Sequence, residues 1–181
     1  TVKVENPVST IALSTSAPQG RMRISEPLLA AGKSVSHKVT FAETYGRPTN
    51  QKITWSWTLK DSNGWDRTED FARYIGLTSG GRLSIRSSAQ SILADDRDAN
   101  TTLYLTVIAQ SQESGEAQDS ITYRLVPPAT KLYVAADRKT VGIEPGGTRE
   151  MVFYSDQFAR SMGSYSVSNF VYTSSNPKVA S

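Results

Sequence analysis

The sequence predicts an all-β fold, an antiparallel β-sandwich. Three observations carry the prediction. Apolar residues recur at every second position in several stretches, turn-forming residues separate those stretches, and helical periodicity is scarce. The first run, TIAL, points Ile11 and Leu13 to one side. VSHKVTF follows, with Val35, His37, Val39 and Phe41 on the inner face. ITWSWTL is the clearest, placing Ile53, Trp55, Trp57 and Leu59 inward and Thr54, Ser56 and Thr58 outward. A period of two means a strand with one buried side. TEDFARYI allows a single helical turn, with Thr68 as its cap and Phe71 and Ile75 sharing a face. RLSI presents Leu83 and Ile85. LYLTVIA presents Leu103, Leu105, Val107 and Ala109, and ITYRL presents Ile121, Tyr123 and Leu125. The turn signals between them are Pro18-Gln19-Gly20, Gly46-Arg47-Pro48, Ser62-Asn63-Gly64, Ser79-Gly80-Gly81 and Glu113-Ser114-Gly115. Strands buried on both faces, as in a parallel sheet, would not alternate in this way.

Composition narrows the function classes. The chain has 181 residues, 38% hydrophobic and 20% charged, which is ordinary globular usage. Its 0 cysteines remove disulfides, thiolate nucleophiles and cysteine-based zinc sites together. The formal net charge is +3 with no cluster of lysines and arginines, so nucleic acid is not an expected partner. No apolar run approaches the roughly 18 residues of a membrane span, and no transmembrane segment is expected in this chain.

The chain also resembles itself. NPVSTIAL from Asn6 matches PPATKLYV from Pro127. LLAAGKS (28–34) matches GIEPGGT (142–148), and KITWSW matches NFVYTSS, with Trp55 opposite Tyr172. The offsets, about 121, 114 and 117 residues, are those of diverged domains in tandem with loops of different length. The expected organisation is the end of a preceding repeat over residues 1–6, a complete domain over 7–128, and the N-terminal part of a second over 129–181. With 53 residues, that second copy is expected to be incomplete, its open sheet face covered by the first domain or by another chain. Asn6-Pro7 and Val126-Pro127-Pro128 then read as short, semi-rigid joints.

VYTSSNPKVAS, at residues 171–181, resembles the motif of bacterial immunoglobulin-like domains of group 2, in which an aromatic strand runs into Ser-Ser-Asn-Pro-x-Val-Ala. STIALS, LAAGKSVSHKVTF, KITWSW, GLTSGGRLSI and LTVIAQSQESGEAQDSITYRL fall in that family's order. After ITWSW the first domain departs from the pattern. It lacks Ser-Ser-Asn-Pro and carries a longer insert, TLKDSNGWDRTEDFARYIGL. The resemblance implies an immunoglobulin-like sandwich in tandem repeats, similar to those of invasin and intimin. It also implies an extracellular or bacterial cell-surface setting, in which such repeats serve as stalks, in adhesion, or as accessory domains beside glycan-degrading enzymes.

Few residues suggest chemistry. Trp65 lies in the polar loop SNGWDR, where an indole either folds back over a core edge or faces solvent to stack on a glycan or a partner protein. Asp96-x-Asp98-x-Asn100 has the alternating oxygen spacing of a calcium loop. It lacks the following glycine and distal glutamate of the full pattern, so a solvated acidic loop is the simpler reading. His37, the only histidine, sits on an apolar face with no nucleophile elbow in the sequence to serve. The expectation is therefore a non-catalytic stalk or spacer repeat with a place in cell adhesion, its partners the neighbouring repeats. The alternative is a module binding a host glycan or surface protein through its loops. No cofactor is expected apart from calcium at Asp96, Asp98 and Asn100.

Overall fold

The computed structural model describes residues 8–17, 26–42, 51–113, 116–134, 144–147 and 153–158. Eight strands form two sheets. β1 (Thr10–Thr15), β3 (Ser34–Ala42), β6 (Arg82–Ile85) and β5 (Ile75–Leu77) make the first, in the order β1-β3-β6-β5. β2 (Leu28–Ala30), β8 (Gln118–Val126), β7 (Leu103–Ser111) and β4 (Ile53–Asp61) make the second, in the order β2-β8-β7-β4. All pairings in these two sheets are antiparallel except β2 with β8. One core joins them: Val35, Ile75, Leu83 and Ile85 from the first sheet meet Leu29, Leu59, Leu105, Val107, Tyr123 and Leu125 from the second. The molecule is an all-β sandwich, as the alternation predicts.

The burial pattern follows the alternation along β3, β4 and β7, whereas β8 buries all four residues from Tyr123 to Val126. Along β7, each inward residue from Leu103 to Ser111 is buried and each one between is only partly so. β3 buries Val35 and His37, and β4 buries Leu59, with Trp55 and Trp57 partly buried against the core. Gly32 at φ 78° and Gly81 at φ 76° are among the turn glycines in the left-handed region that disfavours other residues. Gly81 also lies against the Trp55 ring. A methyl group there would come within 2.4 Å of an indole carbon.

Two sequence expectations need correction. The helical turn exists as α1 (Thr68–Phe71), but Thr68 is not its cap. The Asp66 carboxylate accepts the Thr68 backbone N–H at 2.8 Å, while the Thr68 hydroxyl oxygen accepts the backbone N–H of Leu59 at 3.0 Å. Thr68 thus staples the insert to β4, and Phe71 and Ile75 are buried as expected. The acidic run is not a loop. Residues Gln90–Asp98 form a second helix, α2, entered through a 3-10 turn at Ser87–Ala89. Ala89 and Leu93, one helical turn apart, anchor it to the core.

A short antiparallel pair follows the sandwich, β9 (Leu132–Val134) with β10 (Phe153–Ser155). The expected end of a preceding repeat at 1–6, and the aromatic strand with its Ser-Ser-Asn-Pro motif at 171–181, lie outside the described residues.

Candidate functional site

Trp65 stands at the tip of the insert between β4 and α1. It is 72% exposed, the one large hydrophobic side chain that is exposed among the described residues. Its backbone is pinned. Trp65 N–H donates to the Asp61 carboxylate at 3.0 Å, and Asp61 N–H donates back to the Trp65 carbonyl at 3.0 Å. The same carboxylate accepts the Asn63 N–H at 2.8 Å, and the tip turns through Gly64. Of its two expected orientations, the indole takes the outward one.

Asp96, Asp98 and Asn100 are not brought together. Residues two apart on a helix point about 200° from one another, and Asn100 lies beyond the helix end at φ 60°. Asp96 turns inward, where one carboxylate oxygen meets Arg67 at 3.2 Å and the other is buried with no partner among the described residues. Asp98 turns outward, where the adjacent Arg97 guanidinium holds its carboxyl below the usual range. Arg67 also pairs with Asp70 at 2.6 Å, so α1 and α2 are tied through one guanidinium. Arginines answer both aspartates, and no group of three or more histidine or acidic side chains that could hold a metal converges among the described residues.

His37 lies in the core, 9% exposed. Nδ1 is 2.6 Å from the Gly81 carbonyl and Nε2 is 2.6 Å from the Tyr123 hydroxyl, which lies 2.6 Å from the Thr15 hydroxyl. A carbonyl only accepts, so Nδ1 carries a proton. The group links β1, β3, β8 and the turn before β6, with the Trp55 ring 5.6 Å from the imidazole. Burial pushes the Tyr123 phenol up, against a smaller opposite effect of its bond to Thr15.

Sequence reasoning missed the junction after β8. Phe158 is buried against Val126, with Leu28 and Ala30 beside it. The Arg124 guanidinium, on a residue only 6% exposed, lies over the Phe158 ring at 5.3 Å. Arg97 donates to the Asp156 carbonyl, and Gln157 donates to the Pro127 carbonyl at 3.1 Å. Burial alone would raise the Asp156 carboxyl. The Thr130 hydroxyl and the backbone N–H groups of Thr130 and Lys131 outweigh it and hold the group below its ordinary value. FYSDQF carries no local signal of this, since these bonds of Asp156 and Gln157 reach partners 25 to 59 residues away in the chain. An arginine within the last apolar strand was the only hint.

No family model matches the chain, and no curated protein or solved structure matches it.

Proposed function

We propose that this chain belongs to a tandem array of immunoglobulin-like domains in a bacterial surface or secreted protein, where it serves as a non-catalytic stalk in cell adhesion. The observation that carries the proposal is a recurrence of local geometry. Leu132 pairs with Ser155 and Val134 with Phe153. Under the sequence offsets these are the counterparts of Ile11 with Phe41 and Leu13 with Val39, which pair in the sandwich. Gly146 at φ 79° repeats Gly32 at φ 78°. The turn bond from Gly147 N–H to the Glu144 carbonyl, 2.9 Å, repeats that from Lys33 N–H to the Ala30 carbonyl, 3.1 Å. The strand orders β1-β3-β6-β5 and β2-β8-β7-β4 also support an immunoglobulin-like topology, with the first strand split between the sheets. His37, buried with both ring nitrogens engaged, supports a non-catalytic role.

The junction suits a stalk. Pro127 is buried, and side chains from both sides of it lock the first unit to residues 156–158. Small-angle scattering on the full chain tests this. An extended arrangement gives a radius of gyration well above the ~16 Å of a compact chain of this length, and a value at that limit would contradict it.

A second function, recognition of a glycan or protein, is favoured by the outward indole of Trp65 on its pinned backbone. Its test is a binding screen against polysaccharides, mucins and matrix proteins. A specific affinity lost in Trp65→Ala with the unfolding midpoint unchanged would establish it, and the stalk alone predicts no affinity to lose.

A further inference from the structure

Four strands form the edges of the two sheets: β1 and β5 in one, β2 and β4 in the other. An open edge presents unpaired N–H and C=O groups to any passing strand, so folded proteins shorten or block such edges. Three of these four are shortened or blocked. β2 and β5 have 3 residues each. On β1, the Asp119 carboxylate accepts the Leu13 N–H at 2.7 Å, and the Glu113 carboxylate accepts the neighbouring Val8 N–H at 3.3 Å.

β4 is different. It has 9 residues. At its C-terminal end the outer side is covered, since Leu59 N–H donates to the Thr68 hydroxyl, Arg67 N–H donates to the Leu59 carbonyl, and Asp61 exchanges bonds with Trp65. Backbone groups of alternate residues face the same side of an antiparallel strand. The outward groups before Leu59 are therefore those of Trp57, Trp55 and Ile53, and no described residue bonds them. This open stretch holds no charge and no proline, and its inward side chains Ile53, Trp55 and Trp57 are only partly buried. It borders a groove of mixed lining, where Val39, Phe41, Ile53 and Trp55 lie beside polar groups that include Lys52 and Gln112.

We propose that β4 is a self-association edge, pairing antiparallel with β4 of a second copy about a two-fold axis at Trp55. The pattern is self-complementary. Trp55 meets Trp55 of the second copy and Ile53 meets its Trp57, with two hydrogen bonds at each such pair. The inward aromatic side chains adjoin on one face. Exposed Thr54 lies opposite exposed Ser56 of the second copy on the other. The pairing cannot slide past Leu59, whose groups are already taken. Five residues a side, Ile53 to Trp57, make a small interface, so the dimer is a weak one.

Sedimentation velocity on the full chain over a concentration series tests this. A reversible monomer–dimer equilibrium is expected. Thr54→Lys/Ser56→Lys sets like charges opposite each other at two places and should weaken the dimer about tenfold or more. Thr54→Lys/Ser56→Glu should restore it, and neither change should move the unfolding midpoint measured at dilutions where the chain is monomeric, because both positions face solvent. The chain has 0 cysteines, so Thr54→Cys/Ser56→Cys should give a clean disulfide-linked dimer under mild oxidation. A monomer into the millimolar range overturns the proposal. So does a dimer indifferent to the paired lysines, or a β4 edge whose amides gain protection only when a different polypeptide is added.

Discussion

Gly81 and Tyr123 hold the most closely determined positions in the sandwich. Gly81 satisfies three conditions at once: a left-handed backbone, contact with the Trp55 ring, and a carbonyl aimed at His37. Gly81→Ala breaks the first two and should cost about 2–4 kcal/mol, read as a lower denaturant midpoint. Tyr123→Phe leaves His37 Nε2 without its buried partner and should cost about 1–3 kcal/mol. Tyr123 also carries a pH signature. Burial raises its folded pKa above the ordinary 10.0, so its share of stability is fully present below that value and is lost as pH rises through the folded pKa. Unfolding midpoints above pH 10 should therefore fall faster for the parent chain than for Tyr123→Phe. At this scale the sequence was informative about direction. It put His37 and Trp55 inward and left Trp65 two orientations, but the partners of His37 and Trp55 come from segments far apart in the chain.

Among the elements, legibility tracked length and alternation. β3, β4 and β7 have 9 residues each, and their period of two survives every polar interruption. β2 and β5, with 3 residues each, are too short to show a period. α2 hid behind its charges. Its buried face consists of Leu93 and the preceding Ala89, and the rest reads as a polar run. The spacing of Ala89 and Leu93 was nevertheless a helical signal. The calcium pattern at Asp96, Asp98 and Asn100 rested on loop geometry, and a helix separates those side chains. The two short helices are joined through Arg67, and α1 reaches the core through Phe71, which is fully buried. Phe71→Ala should cost about 3–5 kcal/mol in global unfolding.

For the whole molecule, the account turns on whether residues 129–181 open a second unit or complete the first. The junction is a set of specific side-chain bonds, and one of them gives it a pH dependence. Because the Asp156 carboxyl is held below its ordinary 3.8, its stabilising effect is present above that value and is lost as pH falls through the folded pKa. Amides near Thr130 and Lys131 should then lose hydrogen-exchange protection in acid before those of β7 and β8, and Asp156→Ala should show the same loss at neutral pH. The most direct test is to compare denaturant unfolding of residues 1–128 with that of the full chain. If the sandwich is a domain with its own core, residues 1–128 fold cooperatively and retain the near-ultraviolet signal of Trp55 and Trp57, with a midpoint lowered only by the lost Phe158, Arg97 and Gln157 contacts. A shortened chain that fails to fold, or unfolds without cooperativity, would mean that residues 129–181 complete the first core, and the tandem account would be wrong.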